Sequence, residues 1–303
     1  MVDGPYPSTP IIMATPLAPL YISHGSPMIA IEPSPTQKFL KALGPAIDAV
    51  CGRPRAVLVM SAHTMARGAV LLGASRHHTI HDFGGFPPAL YELRYDAPGD
   101  PAVAQMAQTC LAQAGFDVPL LNEGGLDHGI WTALMHMWPQ ADIPVVPLSL
   151  PASASPEALW RMGQALKGLP PDVLVIGTGS LTHNLRRVFG SGRLQAGLVD
   201  MPEDPESAAF RQWVLEHATA GDWSALWDYR RQAPYAVEMH PTDEHWRPFY
   251  LAAGAGASRA EPEPQAAVRL HEAVEFGCLA LDAYAFGPGA AALKTALLTA
   301  RSA

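Results

Sequence analysis

Three histidines in this sequence each lie just past an apolar run. His24 comes after "PLYIS", His63 after "VLVMSA" and His183 after "VIGTGSLT". Each run is typical of a buried strand, and ligands of open α/β sheets bind in the crevice beyond the carboxyl ends of parallel strands. Gly25 and Pro27 turn the chain away after the first histidine, which leaves its ring at the floor of a cleft. We therefore expect three imidazoles at one edge of a sheet.

Imidazoles placed in this way suit a transition-metal ion. A single histidine at a strand end is ordinarily a polar residue hydrogen-bonded to a carbonyl, but three in the same topological place favour a shared ligand. Three neutral imidazoles that leave coordination positions open suit zinc or non-haem iron. The sequence therefore predicts a divalent metal site at the carboxyl ends of the strands.

A second histidine-containing stretch, "EMHPTDEHWRPF", offers further ligands. It holds His240, Glu244 and His245. Adjacent residues of a helix point about 100° apart, so only one of Glu244 and His245 is expected to reach the ion. The residues alone leave this choice open. They also fit a simpler interpretation, in which the acidic first turn of a helix complements the helix dipole.

Two more stretches place histidine beside aromatic residues. "GGLDHGIW" puts His128 after a glycine turn and at the start of a helix, and we assign it to the site. We expect His136, on a face predicted to be buried, to be structural. "HHTIHDFGGFPPALYEL" contains His81 and Phe86. Such a loop forms either an aromatic wall over a site or a chain reversal with surface histidines.

The composition indicates a soluble globular chain. Its 303 residues are 49% hydrophobic and carry a formal charge of −8, which opposes binding to nucleic acid or to an anionic membrane. No stretch has the roughly 18 consecutive apolar residues that cross a bilayer. Prolines interrupt the N-terminal segment before it reaches signal-peptide length. We expect a cytoplasmic protein without a nucleic-acid or membrane partner, in which the apolar C-terminal segment could join copies into a homo-oligomer.

Strands that alternate with helices predict an α/β fold with a central, mostly parallel or mixed sheet flanked by helices. We expect one domain over residues 1–303, with an N-terminal extension at 1–15 and a C-terminal helical extension at 288–303. Buried strands are predicted near 17–23, 55–62, 143–150 and 172–179, and amphipathic helices at 36–50, 101–115 and 155–169. Later helices are predicted at 204–219, at 222–231 and from near 241 to Gly254 or Gly256, followed by a loop at 258–265 and a hairpin-like pair over 267–287.

Six motifs, in chain order, resemble a known enzyme family. They are "HGSPM", "SAHT", "HDFGGFPPALYEL", "GLDHGIW", "HNLR" and "HPTDEHW", and they span residues 24–246. Together they resemble the class III extradiol ring-cleavage dioxygenases, in particular the DOPA 4,5-dioxygenase type. The resemblance implies an α/β fold that binds one non-haem Fe(II), with Zn(II) sometimes occupying the site in purified protein.

The resemblance also implies roles for particular residues. His24, His63 and His245 match the positions of the metal ligands. The wider family uses a glutamate as the third ligand, whereas this branch resembles a variant with three histidines. His183 matches the acid/base histidine of the family, and His128 matches a histidine near the substrate.

Substrate contacts are predicted at four further positions. Arg186 in "HNLRR" could pair with a substrate carboxylate through two hydrogen bonds, although an arginine near a helix end is also a common surface residue. His81 and Phe86 belong to the expected pocket loop. The position of His240 varies within the branch, so we expect either a substrate contact or no role.

These features predict an Fe(II)-dependent oxidoreductase that cleaves the aromatic ring of a catechol with O2 to a semialdehyde. The substrate class is a small DOPA-like or otherwise carboxylated catechol. A zinc-dependent hydrolase is the main alternative, because three histidines with an open position also generate zinc hydroxide. A non-catalytic metal-binding protein on the same fold is the second alternative.

Overall fold

The computed structural model describes residues 15–197, 199–257 and 266–302. The strands are β1 (Leu20–Ser23), β2 (Ala56–Ser61), β3 (Met65–Ala66), β4 (Leu71–Leu72), β5 (Leu120–Leu121), β6 (Val145–Pro147), β7 (Leu150–Pro151), β8 (Val173–Gly179), β9 (Val268–His271), β10 (Val274–Glu275), β11 (Leu279–Ala280) and β12 (Ala283–Ala285). The helices are α1 (Pro35–Val50), α2 (Pro88–Glu92), α3 (Pro101–Gln113), α4 (His128–Met137), α5 (Pro156–Leu166), α6 (Leu185–Gly190), α7 (Pro205–Ala220), α8 (Trp223–Trp227), α9 (Tyr229–Gln232), α10 (Ala236–Met239), α11 (Pro248–Gly256) and α12 (Ala290–Ser302). A 3-10 helix at Pro27–Ala30 follows β1.

The central sheet has six strands in the order β6-β2-β8-β1-β12-β9. The first four are parallel to one another, and β12 runs antiparallel to both β1 and β9. The predicted α/β class with a mixed sheet is therefore confirmed. The four predicted apolar runs contain the four parallel strands, which are buried throughout, as strands covered on both faces are.

Helices cover both faces of this sheet. Val57 and Val59 of β2 belong to one apolar cluster, whereas Leu58 and Met60 belong to the other, because successive side chains of a strand point to opposite faces. Helices α1, α4 and α12 lie on the first face, and α3, α5, α7 and α11 contribute to the second.

The predicted helices are present, except that the one predicted at 222–231 is divided into α8 and α9. Two of them begin at the expected residues. Asp100 accepts hydrogen bonds from the backbone N–H groups of Ala102 and Val103, and Pro101 takes the first position of α3. Ser155 and Pro156 act in the same way at α5. Proline suits the first helical position because the N–H that it lacks would have no partner in the helix.

One predicted helix begins later than expected. We expected it from near residue 241, but residues 244–247 form turns and α11 begins at Pro248. Proline fits the first helical position, because the N–H that it lacks would have no partner there, and Pro248 takes this position in α11. The predicted end at Gly256 is confirmed.

The C-terminal helix is part of the core on the first face of the sheet. Helix α12 packs against α1 and β9, and Leu293 and Leu297 are buried in the same cluster as α1. The predicted loop at 258–265 and residues 1–14 of the predicted N-terminal extension lie outside the described residues. Among the described residues, no helix has both the length and the apolar character needed to span a membrane.

Candidate metal centre

Three imidazoles from distant parts of the chain converge beyond the carboxyl ends of the parallel strands. Nε2 of His63 lies 3.1 Å from Nε2 of His24 and 3.2 Å from Nε2 of His245. Nitrogen ligands about 2.1 Å from a shared ion lie about 3 Å apart. The three nitrogens are therefore spaced as ligands of one metal ion would be.

Thr178, in the neighbouring strand β8, determines which ring nitrogen of His24 carries the proton. Nδ1 of His24 lies 2.8 Å from the hydroxyl oxygen of Thr178, and that hydroxyl donates its proton to the carbonyl of Gly129 at 2.9 Å. A hydroxyl has only one proton, so its oxygen accepts from His24 and Nδ1 carries a hydrogen. In the neutral ring, Nε2 is left as a lone pair that faces the other two histidines.

Glu244 does the same for His245. One carboxylate oxygen of Glu244 lies 3.1 Å from Nδ1 of His245, and an ionised carboxylate can only accept a hydrogen bond. Nδ1 of His245 therefore carries the proton and Nε2 faces His63. A carboxylate on the far nitrogen of a histidine is the usual support of a metal ligand.

This arrangement of protons fits a cation. With lone pairs on Nε2 of both His24 and His245, a proton on Nε2 of His63 could satisfy only one of the two short contacts. A divalent ion between the three nitrogens would bind all of them at once. A set of three imidazoles suits zinc, iron and the other transition metals of intermediate softness.

Burial keeps the three rings in the form that binds metal. It lowers the pKa of His63 to about 3, with the nearby His128 adding to the effect. Burial, and then the neighbouring histidines, also lower the pKa values of His24 and His245 well below the usual range. Only the neutral imidazole is a metal ligand, so the rings need not lose a proton at pH 7 before an ion binds.

The local backbone brings the ligands close together. The N–H of His24 donates to the carbonyl of Gly179 at 3.0 Å, which continues the pairing of β1 with β8 by one residue. Gly25 follows with a φ of +68°, a conformation that glycine adopts without strain. A Cβ on Gly179 would lie 1.9 Å from the carbonyl oxygen of His245. Glycine at this position therefore allows the third ligand to approach the sheet.

His128 and Asp82 lie beside the three imidazoles. The ring centroid of His128 is 4.0 Å from that of His63 and 5.4 Å from that of His24. Asp82 accepts hydrogen bonds from the backbone N–H of His128 at 2.8 Å and from its Nδ1 at 2.9 Å. Burial works to raise the pKa of the Asp82 carboxyl, but these bonds outweigh it and lower the pKa.

The loop that contains Asp82 carries a cluster of aromatic side chains. Phe83 lies 5.4 Å from Phe86, 5.3 Å from Tyr91 and 5.6 Å from His128, measured between ring centroids. His81 packs beside Phe83 and Tyr91, and its Nε2 lies 3.2 Å from the carbonyl of Leu93. Of the two interpretations of this loop, the geometry favours an aromatic wall next to the site.

His183 stacks on a candidate ligand. Its ring lies parallel to that of His245, with 3.5 Å between centroids and 11° between planes. Its backbone N–H donates to the carbonyl of Met239 at 2.9 Å, which fixes the position of the residue after β8. Neither its ring nor that of His128 supplies one of the three converging Nε2 atoms.

The remaining predicted residues have different environments. His240 is fully buried, and its Nε2 lies 2.8 Å from the carbonyl of Leu181. The side chain of His240 has no exposed surface, so this structure does not favour the predicted substrate contact. His136 is also buried, with Nε2 2.8 Å from the carbonyl of Ile29. Arg186 is exposed on the first turn of α6.

The sequence motifs did not single out Thr178 and Asp82, and they left Glu244 as an alternative ligand. Thr178 lies in a strand already predicted to end at the site, and Asp82 lies in one of the quoted motifs. Their polar side chains were the signal in the sequence that they could belong to the site. Which imidazole each one bonds could not be inferred, because the partners of Thr178 and Asp82 are 154 and 46 positions away.

The α/β fold and the histidine cluster have a counterpart in a known enzyme family. A family model described as the catalytic LigB subunit of aromatic ring-opening dioxygenase matches residues 18–274. Those residues include every side chain of the site described above. The chain belongs to this family of aromatic ring-opening dioxygenases.

Within the family, the chain is an extradiol dioxygenase of the DOPA-like branch of class III. It is 36% identical over 269 residues to 4,5-DOPA dioxygenase extradiol of Beta vulgaris, a match that covers 88% of this chain and 95% of the relative. It is 34% identical over 252 residues to 4,5-DOPA dioxygenase extradiol of Escherichia coli strain K12, covering 81% and 87%. The resemblance inferred from the six motifs is confirmed.

A solved structure has the same fold. The crystal structure of an uncharacterized protein from Escherichia coli K12 matches with a TM-score of 0.68 and 27% sequence identity. The match covers 89% of this chain and 100% of that chain. The similarity therefore includes most of the central sheet and its covering helices.

Proposed function

We propose that this extradiol dioxygenase binds Fe(II) through His24, His63 and His245 and opens the ring of a catechol beside its two hydroxyls. The proposal is carried by the three Nε2 atoms, 3.1 and 3.2 Å apart, two of which have their protons held on the far nitrogen. A bound Fe(II) supplies the electron transfer to O2 that side chains lack, and a template for both hydroxyls. The product is a semialdehyde.

His183 is the proposed general base. Burial lowers its pKa to about 4, so the ring is neutral at pH 7 and can accept a proton from a catechol hydroxyl. Its ring stacks on that of the candidate ligand His245, with 3.5 Å between the ring centroids. Among the described residues, no side chain or carbonyl forms a hydrogen bond with its ring nitrogens, which leaves them available to a substrate.

His128 and the aromatic loop are the proposed contacts with the substrate ring. His128 lies between the candidate ligands and Phe83, where it can hold a hydroxyl oxygen. Phe83, Phe86 and Tyr91 form an apolar wall on which an aromatic ring can pack. Such a wall also keeps water from the reacting atoms.

A carboxylated, DOPA-like catechol is the proposed substrate. Two relatives that match at 36% and 34% identity are named for 4,5-DOPA cleavage. Arg186 is the second residue of α6 and lies three residues after His183. Its side chain is exposed. Unlike Arg187, which is paired with Asp204, Glu206 and Glu238, Arg186 forms no ion pair within the described residues. Its guanidinium is therefore available to a substrate carboxylate.

A metal exchange tests the reaction. Metal-free protein is loaded with Fe(II) under anaerobic conditions, mixed with DOPA, dopamine or unsubstituted catechol, and then exposed to O2. We expect oxygen uptake and a yellow product with Fe(II) and neither with Zn(II). The absence of both from iron-loaded protein with every catechol would contradict the proposed reaction, and ester hydrolysis by the zinc-loaded protein would favour the hydrolase alternative.

Substrate recognition is tested at Arg186. The Arg186→Gln variant should raise KM for DOPA by about tenfold, the effect of one lost charged hydrogen bond. It should leave KM for dopamine unchanged, because dopamine has no carboxylate. Arg161→Gln removes an exposed arginine from α5 and is the matched control. Equal effects of Arg186→Gln on the two substrates would exclude carboxylate recognition by this residue.

A further inference from the structure

Asp82 makes three contacts at the edge of the metal centre. Oδ1 accepts from the backbone N–H of His128 at 2.8 Å, and Oδ2 lies 2.9 Å from Nδ1 of the same residue. Oδ2 also lies 3.6 Å from Nδ1 of His63, which is beyond hydrogen-bond distance. The two short contacts are both with His128, so the carboxylate binds the backbone and the ring of one residue.

The position of Asp82 in the chain gives these contacts a wider effect. Asp82 immediately precedes Phe83, whose ring packs against His128 at 5.6 Å. His128 is the first residue of α4, where backbone N–H groups lack partners within the helix and the helix dipole favours a negative charge. Asp82 therefore fastens the aromatic loop to the amino end of α4, next to the candidate ligands.

The chemistry of the pair fixes the proton of His128. An ionised carboxylate has no hydrogen to donate, so Nδ1 of His128 must be the donor. In the neutral ring, Nε2 is then a hydrogen-bond acceptor. Such a nitrogen can receive a hydrogen bond from a hydroxyl of the substrate, whereas the opposite tautomer would present N–H to that hydroxyl.

We propose that Asp82 is a positioning residue, which holds the His128 ring beside the metal centre with its proton on Nδ1 so that Nε2 accepts from the substrate. The effect on turnover rests on the proposed function. The tautomer and ring position do not, because they follow from contacts within the chain. Two separate measurements can therefore test the two parts.

The Asp82→Asn variant should change the tautomer of His128 without changing the shape of the side chain at position 82. An asparagine has the shape of aspartate, and its carbonyl oxygen can still accept from the backbone N–H of His128. Its NH2 group then faces Nδ1 and can only donate. We expect the His128 ring to move its proton from Nδ1 to Nε2 while the loop stays attached to α4.

The first measurement needs no activity. Zinc-loaded protein is labelled with 15N at histidine, and long-range proton–nitrogen spectra report which ring nitrogen carries the hydrogen. The His128 signals are assigned by their absence from His128→Gln. We expect Nδ1–H in the unsubstituted protein and Nε2–H in Asp82→Asn. Nδ1–H in both proteins, or Nε2–H in both, would overturn the proposal.

The matched control is Asp96→Asn. Asp96 accepts hydrogen bonds from the backbone N–H and the hydroxyl of Thr79, both at 2.8 Å, so it also ties this part of the chain through one main-chain and one side-chain group. It forms no hydrogen bond with His128 or with the three candidate ligands. We expect Asp96→Asn to keep the His128 tautomer, and to keep kcat and KM within about threefold of the unsubstituted protein.

The second measurement uses the iron-loaded enzyme. Asp82→Asn should lower kcat for the best catechol at least 100-fold, the order of effect that a wrong histidine tautomer or a lost supporting carboxylate has in other enzymes. KM should stay within about threefold and iron should stay at one per chain. Unchanged kcat would show that Asp82 has only a structural role, and loss of iron would show that it acts through His63. Lack of ring opening by the unsubstituted enzyme would contradict the proposed function, and the spectra would still test the tautomer.

Discussion

Two of the three converging imidazoles depend on a group hydrogen-bonded to the other ring nitrogen. Thr178 holds the proton of His24 on Nδ1, and Glu244 does so for His245. In a free histidine the proton exchanges between both ring nitrogens. In His24 and His245 it is held on Nδ1, so Nε2 is already able to bind an ion. Such supporting groups affect metal affinity or activity by about 10- to 100-fold.

The roles of His63 and His183 are separated by substituting each one. His63→Ala should abolish metal binding, because Nε2 of His63 is the atom that the other two approach. His183→Ala should keep one metal per chain but lower kcat by about 10²- to 10⁴-fold, the usual contribution of proton transfer. Metal analysis and steady-state rates measure both effects. His136→Gln, at a buried histidine bonded to Ile29, is the control and should keep both properties.

A folded His183→Ala protein without metal would contradict the assigned roles. It would indicate that His183 is needed to hold the ion, either directly or through its stacking on His245.

Buried histidines should make the metal-free protein less stable in mild acid. Burial lowers the pKa of His240 to about 4, against about 6.5 in an unfolded chain. Between these values the unfolded chain binds the proton and the folded chain does not. The contribution of His240 to stability is therefore complete above about pH 6.5, and about 2 kcal/mol of it is lost by pH 5. Urea unfolding between pH 7.5 and 5 measures the loss.

The His240→Gln variant checks the source of this pH dependence. Glutamine can still donate to the carbonyl of Leu181 but does not titrate, so the slope of stability against pH should become shallower by the share of one histidine. The slope should not vanish, because burial also lowers the pKa values of His63 and His183. An unchanged slope would show that His240 does not contribute.

At the scale of elements, the site depends on close approach between α4 and two strand ends. A Cβ on Gly129 would lie 2.7 Å from the hydroxyl of Ser61 and 2.9 Å from Cε1 of His24. Real Cβ atoms do not approach so closely, so a larger residue must move one of these groups. The first turn of α4 can cover the ligands only because glycine stands there.

Gly129→Ala should therefore weaken metal binding. Helix propensity alone predicts that alanine stabilises α4 by about 1 kcal/mol, but the contact with His24 should displace the ligand ring and lower metal affinity by at least tenfold. Competition with a chromogenic chelator measures the affinity. Gly68→Ala is the control, because a Cβ there meets nothing within 4 Å. Equal affinity in the two variants would show that the α4 backbone is free to adjust.

The turn before α11 decides which residue becomes the third candidate ligand. In a helix, Glu244 and His245 would point about 100° apart. In the turn that the chain adopts, the carboxylate lies 3.1 Å from Nδ1 of the imidazole. The proposed site therefore assigns Glu244 the support of His245 and not a place among the ligands.

At the scale of the whole molecule, the site joins three distant parts of the chain. His63 lies 39 positions from His24 and 182 positions from His245. These positions are brought together only when the sheet and the turn before α11 are formed. An ion bound by all three should therefore bind the folded chain far more tightly than the unfolded one, and should stabilise the fold.

Metal addition and removal test this coupling. Zinc at about 100 times its Kd should stabilise metal-free protein by about 2.7 kcal/mol, which corresponds to a rise in Tm of about 4 °C for a chain of this size. A chelator should reverse the rise. His63→Ala should show neither effect. If zinc does not change the Tm of the unsubstituted protein, a metal site shared by the three histidines is contradicted.

The sequence by itself determined the parallel strands, most of the helices and the histidines at the strand ends. These features are local: apolar runs predict strands, 3.6-residue periodicity predicts helices, and the motif order around His24, His63 and His245 indicated the family. Only the tertiary structure decided which way each side chain points. The partners of Thr178 and Asp82, and the turn that pairs Glu244 with His245, depend on packing between segments far apart in the chain. Local propensity carries no information about such contacts.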